Sequence, residues 1–202
     1  MKKPTNKIKE RYNRISKVYN IMDHMIRSSW RKEILSDLKG EILEVGVGTG
    51  ASFEYYPMKV NVTGIDFSPK MLDIAQSKIP KSKAEIKLLE MDIEQMNFPD
   101  NSFDTVISSC VFCSVPNPIE GLKEIRRVVK PEGKIIMLEH MRSENAVVGK
   151  ILDLTNPFTV RLTGANVNRE TIKNLEAAGL KLIKEEYLMT SIMRKLIISP
   201  NK

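Results

Sequence analysis

The chain reads as an α/β domain: a seven-stranded, mostly parallel sheet with helices on both faces. Three observations lead there. Apolar runs of strand length alternate with helix-period patterns as far as the C-terminus. A glycine-rich turn, Gly46-Val47-Gly48-Thr49-Gly50, follows the first apolar run, where a strand would hand over to a helix. The last two runs are joined by only a few residues around Met189-Thr190-Ser191, a link that permits an antiparallel hairpin and excludes a parallel crossover.

Taken in order, strands are expected near 41–45, 60–65, 85–90, 103–109, 133–139, 180–187 and 192–198, and helices near 50–56, 68–78, 117–129, 145–154 and 168–178. Ser68-Pro69 offers an N-cap with proline at the first helical position. Lys130-Pro131-Glu132-Gly133 reads as a tight turn into the fifth strand, and Gly179 closes the last helix. No repeat or low-complexity tract interrupts this order.

The glycine turn carries the first functional signal. Three glycines at alternate positions let the backbone turn sharply and approach a ligand, and the amides of the helix expected just beyond would face it. Asp66 ends the next apolar run about 20 residues after Gly46, the spacing at which a carboxylate meets a ribose diol. Only Thr49 separates the second and third glycines, against two residues in the dinucleotide fingerprint. Glu44 adds negative charge where a pyrophosphate would sit, and a cationic or zwitterionic amino-acid moiety would welcome it. Alone, Glu44 reads equally as a solvated strand-end acid; with Asp66 it describes a nucleoside pocket.

Composition bounds the rest. The chain has 202 residues, 42% of them hydrophobic, enough for one domain with a sizeable core and without room for a second large one. The start, Met1-Lys2-Lys3-Pro4, lacks the apolar segment of a signal peptide, so neither secretion nor a membrane span is expected and the default location is cytoplasmic. Two cysteines and two histidines make no metal spacing, and no metal is implied. The formal charge of +7 is concentrated: residues 1–39 hold 11 Lys/Arg against 4 Asp/Glu, whereas residues 40–202 are balanced at 21 each. In that first segment Ile8, Tyr12, Ile15, Tyr19, Met22 and Ile26 form one helix stripe, with Lys3, Lys7, Arg11, Arg14 and Lys17 on a neighbouring face. Such a helix can pack on the domain with its lysines solvated, or lie on an anionic membrane, and a lid over the pocket satisfies both. The organisation expected is a basic helical lid, 1–39, on a ligand-binding domain, 40–202.

At this point the pattern resembles the class I S-adenosylmethionine-dependent methyltransferases over nearly the whole chain. Glu44-Val45-Gly46-Val47-Gly48-Thr49-Gly50 is similar to that family's first motif, Gly64-Ile65-Asp66-Phe67-Ser68-Pro69-Lys70-Met71-Leu72 to its ribose motif, and Met91-Asp92-Ile93 to its adenine-edge motif. Residues 98–104 and 122–133 resemble the family's approach to strand four and its helix-turn into strand five, Glu132 replacing a usual glycine. The resemblance implies a Rossmann-like sheet whose last strand is antiparallel, with S-adenosylmethionine as donor and S-adenosylhomocysteine as product. It further implies that Gly46, Gly48 and Gly50 line the methionine moiety with Glu44 nearby, that Asp66 binds the ribose hydroxyls, that Asp92 accepts from the adenine amino group, and that Phe67, Met71 and Ile93 sandwich the base. Ser109 and Cys110 would sit beside the sulfonium and the acceptor.

Residues 12–20, with Tyr12 and Tyr19, look like the N-terminal lid of the quinone C-methyltransferase and bacterial phosphatidylethanolamine N-methyltransferase branches. Cys110-Val111-Phe112-Cys113-Ser114-Val115, Glu139-His140 and residues 164–169 also look like membrane-associated animal thiol methyltransferases. Both likenesses imply a lipidic or apolar acceptor and leave its nucleophilic atom open.

Several residues have two readings. His140, at the expected end of strand five, is the candidate general base, or a structural histidine bonded to a carbonyl. Cys110 and Cys113 have the spacing of a redox pair but continue a strand, which favours core or pocket-wall thiols, with Cys113 toward the acceptor. Asn168 reads as the N-cap of the helix expected at 168–178, while Asn166 and Arg169 could reach a polar or phosphate headgroup. The apolar segment 141–166 walls the acceptor pocket, lies on a bilayer, or packs in the core. The rivals are a nucleotide-dependent oxidoreductase, a nucleic-acid methyltransferase and a non-enzymatic cofactor-binding module. No second glycine fingerprint supports the first. Ser108-Ser109-Cys110-Val111 lacks the Asn/Asp-Pro-Pro-aromatic wall that would hold a flipped base, and only 6% of residues are aromatic, so nucleic acid is not expected. A small cytoplasmic methyltransferase, monomer or homodimer, free or peripheral at an anionic membrane, is the reading carried forward.

Overall fold

Seven strands, β1 (Glu41–Val45), β2 (Asn61–Asp66), β3 (Glu85–Glu90), β4 (Phe103–Ser109), β5 (Val129–His140), β6 (Lys181–Met189) and β7 (Met193–Ser199), form one sheet in the order β3-β2-β1-β4-β5-β7-β6. The computed structural model describes residues 8–14, 16 and 26–202. Strands β1 to β5 run parallel, and β7 runs antiparallel to both β5 and β6. From β1 the chain steps outward to β2 and β3 and then returns to β4 on the other side. The loops after β1 and β4 therefore part in opposite directions and leave a crevice at the strands' carboxyl ends.

Five helices, α1 (Ser28–Leu35), α2 (Pro69–Lys78), α3 (Pro118–Val128), α4 (Ala146–Thr163) and α5 (Thr171–Ala177), pack about the sheet beside two 3-10 turns, Phe53–Tyr55 and Ile79–Lys81. Alternate strand residues feed two cores. Leu43, Val45, Val106, Ile135 and Met137 meet Leu122 and Ile125 of α3, while Ile42, Val62, Ile107, Ile136 and Leu138 meet Ile34 and Leu35 of α1. Burial on both faces is why the strands read as continuous apolar runs.

Ile26, Trp30 and Leu38 also belong to the second core. Of the basic amphipathic stripe, Ile8, Tyr12 and Ile26 are described; Ile15, Tyr19 and Met22, together with His24, lie outside the described residues. Residues 8–14 are helical, and three contacts seat them. Lys9 pairs with Glu90, Arg11 Nη1 donates to Val160 O at 2.6 Å, and the Ser68 hydroxyl donates to Asn13 Oδ1 at 2.6 Å.

Four local expectations change. The helix expected at 50–56 is a single 3-10 turn, Phe53–Tyr55, because Pro57 forces Tyr56 into the extended region (φ −67°, ψ 138°). Helix amides therefore do not follow the glycine turn. Lys130-Pro131-Glu132-Gly133 lies within β5, although the step of two from Phe103 to Thr105 in β4 is matched by a step of five from Val129 to Lys134 in β5, so the segment protrudes as a bulge. The helix expected to end at 154 runs on through Pro157 to Thr163 and stops where Gly164 turns left-handed (φ +84°). The last helix starts at Thr171, three residues later than expected, and Asn168 does not cap it: its Nδ2 donates to Asp153 Oδ1 at 3.1 Å.

Candidate functional site

The crevice holds two adjoining cavities that share Gly46, Asp66, Phe67, Val111 and Ser114. The larger has about 440 Å³ of empty space, open solvent included, and is walled by Ile8, Ile65, Met91, Ile93 and Val115, with Asp66 and Asp92 its only charged lining among the described residues. The second, about 330 Å³, adds Tyr12, Gly48, Met71, Ser109 and Cys110.

Each wall follows from local chemistry. Gly46 has φ +64°, and a Cβ there would come within 2.5 Å of Val111 Cγ2, so this position needs glycine for conformation and for space. The Asp66 carboxylate ties the first two strand ends together: Oδ2 accepts from Gly48 N at 2.9 Å and Oδ1 from Ser68 N at 2.8 Å. Burial pushes its carboxyl up to about 6, with those amide bonds opposing the shift. Ser68 Oγ accepts from Met71 N at 3.3 Å, the N-cap expected for α2, and this places Met71, almost fully buried, at the cavity floor. Tyr12 packs edge-on against Phe67 with centroids 5.6 Å apart; burial raises its phenol far above the ordinary value. Asp92 Oδ1 accepts from Glu94 N at 3.0 Å, a turn that presents Ile93 to the cleft.

Gly46, Gly48, Asp66, Phe67, Met71, Asp92, Ile93, Ser109, Cys110 and Tyr12 are thus brought together. Gly50 sits behind them against the Phe53 ring. Glu44 is buried beneath the loop, where its Oε2 accepts from the Tyr56 hydroxyl at 3.0 Å. Tyr19 lies outside the described residues. His140 ends β5 opposite Met193 and lines neither cavity, and burial lowers the pKa of its imidazole.

Cys113, Asn166 and Arg169, expected at the acceptor, form a brace instead. Asn166 N and Nδ2 both donate to Cys113 O, at 2.7 and 3.0 Å. Arg169 Nε donates to Phe112 O at 3.0 Å and Nη2 to Val115 O at 2.5 Å. The brace holds the 110–116 loop that walls both cavities. Both thiols are free, and burial, reinforced by the Glu139 carboxylate, raises their pKa values, that of Cys113 to about 12, so they stay protonated near neutrality. Arg169→Ala should cost about 1.5–3 kcal/mol, the value of hydrogen bonds from a charged donor. It should also weaken ligand binding, with urea unfolding and calorimetry as the readouts.

Glu139 is the residue the sequence reading left without a role. It is fully buried, and its Oε1 accepts from Ser108 Oγ at 2.7 Å, Val111 N at 3.1 Å and Phe112 N at 3.5 Å. Among the described residues its Oε2 has no hydrogen-bond partner, and neither has the buried Ser109 Oγ. Burial lifts the Glu139 carboxyl to about 7. The available signal was an acid closing the apolar run 135–138, a place where an unpaired charge is costly.

Comparison with known proteins accords with this geometry. A family model described as a methyltransferase domain matches residues 43–137. The demethylmenaquinone methyltransferase of Lactobacillus johnsonii is 31% identical over 95% of this chain and 91% of its own length. The chain belongs to the S-adenosylmethionine-dependent methyltransferases. Among its relatives, the thiol S-methyltransferase TMT1A of Homo sapiens is 31% identical over 84% of this methyltransferase and 75% of that one. The phosphatidylethanolamine N-methyltransferase of Cereibacter sphaeroides is 37% identical over 114 residues, and there the chain spans little more than half, 56%, of the relative. A crystal structure of a methyltransferase of unassigned substrate from Bacillus halodurans superposes with a TM-score of 0.67 at 25% identity, covering 78% of this chain and 70% of that one. The methyltransferase is therefore an enzyme using S-adenosylmethionine and releasing S-adenosylhomocysteine, and the oxidoreductase and non-enzymatic readings fall away.

Proposed function

We propose that this methyltransferase transfers the methyl group to an amphipathic acceptor, a phospholipid amine or quinone-type ring first and a small thiol second. One observation carries the proposal: the wall beside Ser109 offers the apolar Val111 and the protonated Cys110 thiol, while Arg169, the cation expected to meet a headgroup, is bonded to loop carbonyls. The relatives, which act on phosphatidylethanolamine, demethylmenaquinone and thiols, agree with that chemistry.

The cleft fits the donor, since an apolar slot between two carboxylates suits a purine and a diol, and the unpartnered Ser109 hydroxyl supplies a further polar contact. Asp66 would hold the ribose hydroxyls and Asp92 the adenine amino group, with Phe67, Met71 and Ile93 about the base. Gly46, Gly48 and Gly50 would admit the methionine moiety, and Glu44 would act from beneath through Tyr56. The bound donor supplies a methyl group on a positively charged sulfur, a leaving group already activated. The protein's task is then to align the acceptor and exclude water, and orientation carries most of such a barrier. Residues 8–14, with Tyr12 over Phe67, would close the cleft as part of an N-terminal lid. His140, neutral at pH 7, would take a proton only from an acceptor that arrives protonated.

The enzyme would be cytoplasmic and work beside a membrane surface. Incubation with methyl-labelled S-adenosylmethionine and cell extract, followed by mass spectrometry of lipid, quinone and thiol fractions, should place label in the lipid or quinone fraction. Label confined to protein or nucleic acid would overturn the proposal.

A further inference from the structure

Helix α4 is inside-out. Val147, Ile151, Leu154, Phe158 and Leu162 recur at steps of four, three, four and four and are 55–77% exposed. At 100° per residue they fall within about 80° of one another, and the 15 steps of helix from Val147 to Leu162 make the stripe about 22 Å long. The opposite face meets the protein: Gly149 is buried, Asn156 Oδ1 accepts from Val167 N at 2.9 Å, and Val160 O accepts from Arg11. Side chains facing water are therefore the apolar ones, the reverse of an ordinary surface helix, and a patch of this kind marks an interaction site.

The charges around the stripe say what covers it. Lys150 and Arg161, both exposed, lie along one edge of it, where their stems can follow apolar surface while their heads stay in a polar layer. The helix's one acid, Asp153, points away, held by Arg142 Nη2 at 2.8 Å and Asn168 Nδ2 at 3.1 Å. The contact from Arg11 brings the basic segment, which carries the chain's whole positive excess, against the same helix. An apolar stripe edged by cations and free of acids matches the interface of an anionic bilayer and not an acid-bearing protein groove. No described helix is long and apolar enough to cross a membrane.

We infer that α4 is the membrane-docking element, lying flat in the headgroup layer of an anionic bilayer with Leu154 and Phe158 as its central anchors. The inference moves the membrane contact from the N-terminal helix to α4, with the basic segment supplying attraction rather than insertion. It does not depend on which acceptor is methylated. The 110–116 loop, tied to the residues after α4 through Asn166 and Arg169, would then hold the cleft wall at a fixed distance from the lipid surface.

The test is flotation of the full chain with vesicles of phosphatidylcholine alone and with 30% phosphatidylglycerol, beside the Leu154→Gln/Phe158→Gln double variant. The wild type should float with the anionic vesicles, and the double variant should bind them at least about tenfold more weakly, from lost apolar burial. S-adenosylmethionine affinity should be unchanged, which separates lost docking from lost folding. As an independent readout, a nitrobenzoxadiazole label at Leu154→Cys should shift to the blue on anionic vesicles, and the same label at Lys87→Cys on edge strand β3 should not. Equal flotation of wild type and double variant, an unshifted label at position 154, or a stripe buried in a vesicle-independent dimer seen by light scattering would each overturn the inference.

Discussion

Asp66→Ala should weaken S-adenosylmethionine binding by about 100-fold or more, the equivalent of about 2.7 kcal/mol. Two losses combine. The carboxylate proposed for the ribose hydroxyls disappears, and the amides of Gly48 and Ser68 lose their buried acceptor, each at about 1–3 kcal/mol. The glycine turn would no longer be tied to the start of α2, so affinity and stability should fall together. Asp66→Asn separates the two effects, because an amide oxygen still accepts one backbone bond while the charge is gone. It should stay folded and bind the donor at least tenfold less well. Since burial pushes this carboxyl up to about 6, wild-type affinity should be flat above pH 7 and decline below pH 6 as a proton displaces the charge. Titration calorimetry from pH 5 to 8 reads both effects, and an Asp66→Ala protein with wild-type affinity would refute the proposed role.

The sheet was legible because its central strands are buried on both faces. Runs such as Ile135–Leu138 must be apolar throughout, and β6 and β7 are too closely joined to be anything but a hairpin. The donor side of the cleft was legible for a related reason: Gly46 answers to a local demand, the positive φ of the turn, and Asp66 terminates a strand whose end is plain in the sequence. Elsewhere local rules competed. Phe53 and Tyr56 keep a helical spacing, yet Pro57 denies Tyr56 the helical region; Pro157 reads as a stop, yet α4 continues because its apolar period runs on to Leu162. Arg169 was hidden by distance, since the carbonyls it grips belong to Phe112 and Val115, more than 50 residues earlier. A residue that satisfies a remote loop has the same local signature as one free to meet a phosphate.

Glu139 shows how such a remote tie becomes measurable. Its carboxyl, lifted by burial to about 7, has an unfolded value near 4.3. Between those values the native state binds the proton that the unfolded chain has released, so unfolding free energy falls as pH rises from about 4 to about 7 and levels off above. The cost at pH 8 is on the order of 3 kcal/mol, and Asp66 adds a smaller one of the same sign. Glu139→Gln mimics the protonated carboxyl, keeping an acceptor for Ser108 Oγ and the amides of Val111 and Phe112 without the charge. It should lie within about 1 kcal/mol of wild type at pH 5 and exceed it clearly at pH 8. Glu139→Ala orphans all three donors and should lose about 3–5 kcal/mol at pH 5, where no buried charge is relieved in exchange. Freed from its anchor, the 110–116 loop should also lose donor affinity in that variant. Urea unfolding of the three proteins at pH 5 and pH 8 decides the matter. A Glu139→Gln protein less stable than wild type at pH 8 would mean that the charged carboxylate, and not merely its acceptor oxygen, holds the loop in place.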